Sequence, residues 1–307
     1  MDEGKPSRTA IMAAINRAAH LFLDGEPKIV RDELALGLSG MSNEEEILAL
    51  FRKVESEISQ KFGTEIGRAL WSGFRGLVVV RNRYTEDKLE TAIRNGVSQY
   101  VILGAGLDSF AYRRPDLKNV LNVFEVYYPS TQQWKKRRIQ ELGVSFPANL
   151  TFIPLDLEKH TLSEVLHIGG YRADLPAFFS LLGVTQYLTE TAVFEILQEV
   201  VRGAPGTEIV FEYVLIDSLL TEKNKKIVDM HKRNSAASGE PWLSQFDPGD
   251  LADRVKQLGF QSLSDFGPGE AKTAYFTGRT DLLAEQRGYE VFEFVHLMKA
   301  QVGDSSS

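Results

Sequence analysis

Residues 99–115 read QYVILGAGLDSFAYRRP, and this stretch decides the fold. Residues 100–103 are the aromatic, β-branched and aliphatic types found in buried strands. They run directly into Gly104, Ala105 and Gly106. Glycine lets the backbone turn tightly and lets a ligand approach it closely. The sequence therefore predicts a buried parallel strand that ends in a ligand-binding loop.

The spacing after this loop indicates a nucleoside cofactor. A second strand-like run, 120–126, places Glu125 twenty-one residues after Gly104. Nucleotide-binding α/β folds carry an acidic residue there for the ribose hydroxyls. Ser109 stands where a dinucleotide fingerprint has the glycine that lets a helix pack beneath a pyrophosphate. This favours a cofactor without phosphates, such as S-adenosylmethionine, while an ordinary glycine turn is the alternative.

Two motifs carry a resemblance to a known family. GAGLDSFAYR (104–113) and FFSLLGVTQYLT (178–189) resemble the S-adenosylmethionine-dependent methyltransferases of the leucine carboxyl methyltransferase superfamily, particularly its bacterial O-methyltransferase-like branch. The resemblance covers nearly the whole chain, from SRTA (7–10) through RNRYTEDKL (81–89) to YFTGR (275–279). It implies a class I methyltransferase-like (Rossmann-like) fold and S-adenosyl-L-methionine as the cofactor. It also implies methyl transfer to an oxygen atom, of a carboxylate or a hydroxyl, on a small molecule.

The resemblance also implies roles for individual residues. Asp156 closes the run TFIPLDLE, where the resembled enzymes hold the adenine amino group; a simple turn carboxylate is the alternative. Arg81 matches the arginine that grips the cofactor carboxylate, a task that suits a planar guanidinium, and Arg83 is a competing candidate. The predicted cofactor-binding residues are Arg81, Gly104, Ala105, Gly106, Asp108, Glu125, Tyr127, Asp156 and Leu157.

One departure from the family pattern concerns the ribose. The family has an acidic residue, a hydrophobic residue and then aspartate, whereas this chain has Glu125, Val126 and Tyr127. A phenol can hydrogen-bond a ribose hydroxyl, but it lacks the charged acceptor pair of a carboxylate. Strand alternation puts Glu125 on the same side as Tyr127, two residues deeper. The alternative function is therefore a methyltransferase fold repurposed as a non-methylating enzyme or ligand-binding protein. Leu182, where some of the superfamily has glutamate, is a second departure.

Composition excludes several classes of function. The chain has 307 residues, 43% of them hydrophobic, which is enough for a large core. A net charge of -7 disfavours nucleic acid and anionic membranes as partners. The absence of cysteine excludes disulfides and thiolate chemistry. Because neither an apolar run of about 18 residues nor an apolar leader is present, we expect a cytoplasmic protein. The oligomeric state stays open.

Hydrophobic periodicity predicts the domain organisation. Three helical stretches, 11–25, 43–58 and 66–89, the last interrupted near Gly73 and Gly76, form an N-terminal helical cap. Alternating strands and helices then predict an α/β fold with a doubly wound, mostly parallel sheet. The expected units are a cap (1–90), a Rossmann-like core (91–300), a capping insertion after the fifth strand (217–245) and a disordered tail (301–307).

The methyl acceptor determines whether a catalytic base is needed. A carboxylate acceptor needs no base, whereas a hydroxyl does. His20, His231 and Tyr127 are the candidates, without a spacing that singles one out. The five histidines, at positions 20, 160, 167, 231 and 296, lack metal-ligand spacing, so no metal is expected. Ser109 argues against a nicotinamide-dependent oxidoreductase.

Overall fold

The computed structural model describes residues 6–159 and 162–303, without the side chains of residues 61, 62, 65, 66 and 68–70. His160 and positions 304–307 of the expected tail lie outside this range. Among the described residues, no helix combines the length and apolarity that a membrane span requires.

In the part of the chain that the structure describes, seven strands form one sheet with the order β3-β2-β1-β4-β5-β7-β6. The strands are β1 Gln99–Leu103, β2 Asn122–Tyr127, β3 Leu150–Pro154, β4 Phe178–Leu181, β5 Glu208–Val214, β6 Phe260–Phe266 and β7 Val295–Val302. The first five pair in parallel, and β7 is antiparallel to both β5 and β6. The predicted α/β, mostly parallel sheet is confirmed. Its strand order changes direction between β1 and β4, where open α/β sheets bind ligands.

Twelve α-helices surround this sheet in the described residues. They are α1 Arg8–Leu23, α2 Leu34–Ser39, α3 Glu44–Phe62, α4 Thr64–Arg94, α5 Phe110–Arg113, α6 Pro129–Glu141, α7 Leu162–Ile168, α8 Glu190–Val201, α9 Glu222–Ala237, α10 Pro248–Leu258, α11 Pro268–Ala271 and α12 Leu282–Glu285. Their ends follow local chemistry. Asn43 Oδ1 accepts the Glu46 N–H at 3.0 Å and begins α3, and Gly259, in the left-handed conformation, ends α10.

Helix α4 differs from the sequence prediction. The sequence predicts a helix over 66–89 that is interrupted near Gly73 and Gly76, but α4 runs unbroken from Thr64 to Arg94. A Cβ atom on Gly76 would lie 2.3 Å from the carbonyl oxygen of Gly288. Glycine at this position therefore permits the close approach of a distant segment and does not break the helix.

The last strand is longer than predicted. The sequence predicts a strand over 292–298 and a disordered tail from residue 301, but β7 ends at Val302. The Val302 N–H donates to the Thr207 carbonyl at 2.8 Å, and the Gly206 N–H donates to the Val302 carbonyl at 3.0 Å. Residues 301 and 302 therefore belong to the sheet.

Helices cover the sheet centre on both faces, and the N-terminal helices have a small core of their own. Every residue of β1, β4 and β5 is buried, as expected for parallel strands between helices. Ile15 of α1 and Ile47 and Phe51 of α3 form a separate buried cluster. The N-terminal helices are therefore held together by packing while they lie over the functional end of the sheet.

Candidate functional site

A cavity of about 900 Å³ lies at the carboxyl ends of the parallel strands. Its floor consists of residues that end or follow β1, β2, β3 and β4, and its other walls come from α1, α3, α4 and the segment 230–243 that includes the end of α9. Small-molecule sites occupy about 300–1,000 Å³, so this cavity has room for a cofactor and a small acceptor. The segment predicted as a capping insertion thus contributes wall residues.

Two glycines fix the loop after β1. Gly104 has a φ of +72°, and a Cβ there would lie 2.2 Å from Val184 Cγ2. Gly106 has a φ of +53° and faces Ala10 of α1, 3.1 Å from an added Cβ. Residues with side chains rarely adopt this conformation, and at Gly104 they also lack the space. The loop therefore presents its backbone to the cavity.

Ser109 connects the loop to the N-terminal helices. Its hydroxyl donates to Asp32 Oδ2 at 2.6 Å and accepts from Arg113 Nε at 2.9 Å. Asp32 in turn pairs with Arg17 of α1 at 2.7 Å. The helix that follows Ser109, α5, has four residues, too few to present the long helix N-terminus that binds a pyrophosphate. This geometry fits a nucleoside cofactor that carries no phosphate.

Arg81 lines the cavity and Arg83 does not. The Arg81 Nη1 lies 3.0 Å from Glu212 Oε2 on β5, and its Nε is buried without a hydrogen-bond partner in the described structure. A Cβ on Gly183 would approach Arg81 Nη1 to 2.6 Å, so glycine at 183 makes room for the guanidinium. Arg83 is half exposed and pairs with Asp87 at 2.7 Å. Of the two candidates, Arg81 is the one that can bind an anionic group in the cavity.

The end of β2 separates Tyr127 from Glu125. Tyr127 lines the cavity, and burial raises the pKa of its phenol to about 12 against the opposing effect of a hydrogen bond from Ser7, so it stays protonated at neutral pH. Glu125 is fully buried outside the described cavity wall and pairs with Lys135 of α6. Burial raises the pKa of Glu125 in spite of Lys135. Glu125, predicted at the ribose, therefore lies away from the described cavity wall, and its carboxylate links β2 to α6.

The two predicted aspartates are oriented by turns. Asp108 Oδ1 accepts the Phe110 N–H at 2.7 Å, and Asp156 Oδ1 accepts the Glu158 N–H at 3.1 Å. Lys159 Nζ lies 3.4 Å from Asp156 Oδ2. Asp108, Asp156 and the neighbouring Leu157 all line the cavity. The structure therefore brings these residues together with Arg81, Tyr127 and the glycine loop.

His20 has a structural environment. Its Nδ1 lies 2.7 Å from Asp24 Oδ2, and its Nε2 accepts the Ile29 N–H at 3.0 Å. Arg75 also pairs with Asp24, at 2.8 Å. His20 is fully buried and does not belong to the described cavity wall. Because both ring nitrogens are engaged, His20 is not available as a base.

His231 of α9 faces the cavity. Its ring centroid lies 4.2 Å from that of Phe74, and its Nε2 is buried without a partner among the described residues. Burial lowers the pKa of His231 to about 4, so the imidazole is neutral at neutral pH. Of the three candidate bases, His231 is a residue of the cavity wall with a ring nitrogen that has no partner among the described residues, whereas Tyr127 keeps its proton.

Sequence reasoning missed several wall residues. Glu240 follows α9, is 9% exposed and has a buried Oε2 without a partner in the described chain. Trp71 and Phe74 come from α4, and Asn16 comes from α1. No local spacing connects these positions, because tertiary packing brings them together. Amphipathic periodicity could have identified only which helix face is buried.

The fold and site define an S-adenosylmethionine-dependent methyltransferase, and sequence comparisons agree. YktD of Bacillus subtilis, whose name places it among these enzymes, is 31% identical over 97% of this chain and 100% of its own length. A similarly named Mycobacterium tuberculosis protein, Rv3787c, is 35% identical over 139 residues, 45% of this chain and 44% of its own. The sequence profile of the leucine carboxyl methyltransferase family matches residues 10–201. The chain belongs to this family.

Solved structures share the fold at low sequence identity. A protein described as a methyltransferase from Thermobifida fusca has a TM-score of 0.57 and 14% identity, with 99% of this chain and 97% of that chain covered. A DUF574 family protein from Streptomyces avermitilis has a TM-score of 0.56 and 11% identity, with 95% and 97% covered. At such identities the likeness establishes the class I methyltransferase fold.

The cavity fits the cofactor of this class. S-adenosylmethionine carries a carboxylate, which the unpaired buried Nε of Arg81 could bind. Its nucleoside half requires hydrogen-bonding groups at the ends of β2 and β3, where Tyr127 and Asp156 lie. Gly104, Ala105 and Gly106 line the same cavity, so the backbone of this loop can approach the centre of such a ligand.

Proposed function

We propose that this protein transfers a methyl group to an oxygen atom of a small molecule bound in the cavity. The observation that carries the proposal is that one cavity of about 900 Å³ extends from the glycine loop to side chains of α3, α4 and α9. Both ligands of a methyltransferase therefore fit side by side. The family is named for methyl transfer to a carboxyl group, which supports an oxygen acceptor.

The loop side of the cavity is assigned to cofactor binding. In this proposal Arg81 binds the carboxylate, the Gly104–Gly106 backbone lies beneath the methionine half, and Tyr127 bonds a ribose hydroxyl. Asp156 receives the adenine amino group, with Leu157 beside the ring. When bound, S-adenosylmethionine supplies an electrophilic methyl group on a sulfonium. The Arg81–Glu212 pair fixes the guanidinium and reduces the cost of ordering it.

Positioning and exclusion of water provide most of the acceleration in this proposal. A methyl displacement requires the nucleophile in line with the reacting carbon, and ordering two reactants is worth up to about 7–11 kcal/mol. The walls on the acceptor side include Trp71, Phe74 and Trp242. These large side chains remove water from around the acceptor oxygen, which strengthens the electrostatic interactions there.

The alternative of a repurposed, non-methylating protein rested on Tyr127. Membership of the family and similarity to YktD over the whole chain favour the methyltransferase. A phenol with a raised pKa keeps its hydrogen and can donate to a ribose oxygen, so Tyr127 is compatible with cofactor binding.

Calorimetric titration with S-adenosylmethionine and S-adenosylhomocysteine tests the proposal first. We expect both compounds to bind at a single site. If neither compound bound, the proposed function would be overturned. Mass spectrometry of reactions with small hydroxyl, carboxyl and amine compounds tests the acceptor atom. A gain of one methyl group on oxygen is expected, and exclusive methylation of amines would contradict oxygen transfer.

A further inference from the structure

The acceptor side of the cavity has a mostly apolar wall. We call the side chains of Val54, Ile58, Trp71, Phe74 and His231 the helical wall; they come from α3, α4 and α9. Trp71 and Phe74 are three residues apart on α4 and therefore share one helix face. The ring of His231 packs on Phe74 with centroids 4.2 Å apart. A flat, apolar ligand matches this surface better than a strongly hydrated one.

Three of the four Arg and Lys side chains in the described cavity wall pair with carboxylates. Arg17 pairs with Asp32 at 2.7 Å, and Lys159 lies 3.4 Å from Asp156. Arg81 pairs with Glu212, and its remaining donors are assigned to the cofactor. Arg8, the other basic residue of the described wall, is exposed. A carboxylate against the helical wall would be a buried charge without a partner, which is costly.

Two buried polar atoms of the helical wall lack a partner within the described residues. They are the Trp71 Nε1, which can only donate, and the His231 Nε2. A neutral imidazole has one nitrogen that accepts a hydrogen bond. A hydroxyl group can accept from an indole N–H and donate to an imidazole, whereas a carboxylate cannot donate. A group that can donate, such as an uncharged hydroxyl, therefore matches the His231 nitrogen better than a carboxylate does.

We propose that the acceptor is an uncharged aromatic hydroxyl compound, a phenol, and that His231 Nε2 takes its proton. This inference rests on the proposed function and names the acceptor class for it. The phenol oxygen uses a lone pair to form the new O–CH₃ bond. The S–CH₃ bond breaks at the same time, and its electron pair stays on sulfur as the neutral thioether of S-adenosylhomocysteine. The hydroxyl proton moves to His231 and then to solvent.

The local charges are compatible with this step. Burial alone lowers the pKa of His231 to about 4, so the ring is neutral before reaction. The charged side chains of the same cavity wall include Glu57 on α3, the Arg81–Glu212 pair and Glu240 after α9, besides Arg8, Arg17, Asp108, Asp156, Glu158 and Lys159. Methyl transfer removes the positive charge of the sulfonium while protonation adds one to His231. The net charge of the cavity is therefore unchanged, which avoids creating a new buried charge.

A matched compound panel tests the acceptor class. The wild-type enzyme is incubated with S-adenosylmethionine and with phenols, benzoic acids and anilines that share the same ring substituents, and methylated products are measured by mass spectrometry. We expect methyl ethers from the phenols. Preferential methylation of benzoic acids or anilines would overturn the inference, as would absence of turnover with every phenol.

The variant His231→Gln tests the proton acceptor, with His167→Gln on the exposed face of α7 as the matched control. We expect His231→Gln to lower kcat by about 10²–10⁴-fold at pH 7 and the control to leave it unchanged. The rate of the variant should then rise tenfold per pH unit up to the phenol's own pKa of about 10, because the phenolate that forms at higher pH reacts without a base. The wild-type rate should stay flat between pH 6 and 8.

Two further measurements separate the possible failures. The dissociation constant of S-adenosylhomocysteine for His231→Gln should lie within about twofold of the wild-type value. If the wild-type protein itself did not bind S-adenosylhomocysteine, the proposed function would be overturned instead. Should His231→Gln fold poorly, wild-type rates across phenols of graded acidity decide the question. A shallow dependence on acidity is expected with a base present, and a steep one, equal to the uncatalysed reaction, would contradict the role of His231.

Discussion

The loop side and the helical wall of the cavity are built by different means. On the loop side, Gly104, Gly106 and Gly183 have φ values of +72°, +53° and +68°, so backbone conformation determines the shape. On the helical wall, side chains from helices as far apart as α3 and α9 determine it. The comparison teaches that the glycine positions of the loop side exclude side chains, whereas the shape of the helical wall depends on which side chains are present. The loop side therefore constrains the fold, while the wall can change its ligand without changing the fold.

The largest loss of stability and of cofactor affinity is expected from a substitution of Arg81, a side chain on the loop side of the cavity. Arg81→Gln leaves Glu212, which is 2% exposed, as a buried charge without its partner. Breaking such a pair costs about 3–5 kcal/mol in the free energy of unfolding. Urea denaturation measures this loss, and calorimetry should show S-adenosylhomocysteine binding at least about tenfold weaker, because one charged hydrogen bond is worth about 1.5–3 kcal/mol.

Arg83→Gln is the matched control for Arg81. Its pair with Asp87 is half exposed, and such pairs contribute about 0–1 kcal/mol. We expect near wild-type stability and affinity. The assignment of Arg81 fails if the two variants bind S-adenosylhomocysteine equally well. The double variant Arg81→Gln/Glu212→Gln should recover part of the lost stability, since no buried charge is left alone.

The next largest effect is the pH dependence of stability that arises from His231 in the helical wall. His231 has a pKa of about 4 in the folded chain against an ordinary value of 6.5, so the unfolded state binds the proton first as pH falls. The stability is fully present above pH 6.5 and is lost as pH falls toward 4. The loss between pH 7.5 and 4.5 amounts to about 2–3 kcal/mol.

Urea denaturation of wild type and His231→Gln at both pH values isolates this effect from the titration of carboxylates. We expect the wild type to lose about 2–3 kcal/mol more than the variant. Equal losses would mean that water reaches the ring in the folded state.

A smaller effect tests whether space, and not only φ, excludes side chains from the loop. Gly104→Ala places a methyl group 2.2 Å from Val184 Cγ2, whereas Gly96 has a φ of +98° with no atom within 4 Å. Both alanines carry the strain of a left-handed conformation, about 1–2 kcal/mol. Overpacking adds about 1–3 kcal/mol at Gly104 alone.

Thermal and urea unfolding should therefore rank wild type, Gly96→Ala and Gly104→Ala in that order. Val184→Ala introduced with Gly104→Ala should reduce the difference between the two glycine variants. If the two single variants were equally stable, crowding at Val184 would not be a constraint on the loop.

The smallest effect concerns the attachment of α9. The Ser244 hydroxyl donates to the Thr185 carbonyl at 2.8 Å in a buried position. This bond joins the segment that follows α9 to the segment that follows β4. Ser244→Ala should cost about 0.5–1.5 kcal/mol and speed amide exchange in 222–237 by up to about tenfold. Ser238→Ala, which removes an exposed bond within the same segment, is the control.

Ligand binding provides the second test of this segment. S-adenosylhomocysteine together with a phenol should slow exchange in 222–237 relative to the protein alone. Unchanged protection in that complex would argue against closure of α9 over the ligands.

Most of the sheet could be predicted from the sequence because its signals are local. The sequence predicts strands over 150–154, 208–214 and 260–266 and helices over 162–168 and 248–258, and the structure has β3, β5, β6, α7 and α10 with these bounds. Short apolar runs and caps such as Asp247, whose carboxylate accepts from two backbone amides, define these elements. Helix α2 was missed, and the continuity of α4 was missed because Gly76 serves a tertiary contact.

The site divides in the same way. The glycine loop was predicted because its conformation depends on residue type at that position. The surroundings of Glu125 could not be predicted, because alternation gives the side of a strand but not its partner. Lys135 of α6 pairs with that carboxylate, and Tyr127 at the strand end lines the cavity. Trp71 and Glu240 could not be predicted as residues of one cavity wall, since 168 intervening residues separate them.

The position of β7 has a consequence for the order in which the protein is made. β7 is the last strand along the chain, yet it lies between β5 and β6. During synthesis β6 leaves the ribosome before the strand that joins it to the sheet exists, and β5 keeps an open edge until residues 295–302 follow. An open edge is a template for pairing with other chains. Translation that stalls before residue 295 would therefore release a chain that cannot close its sheet and that tends to aggregate.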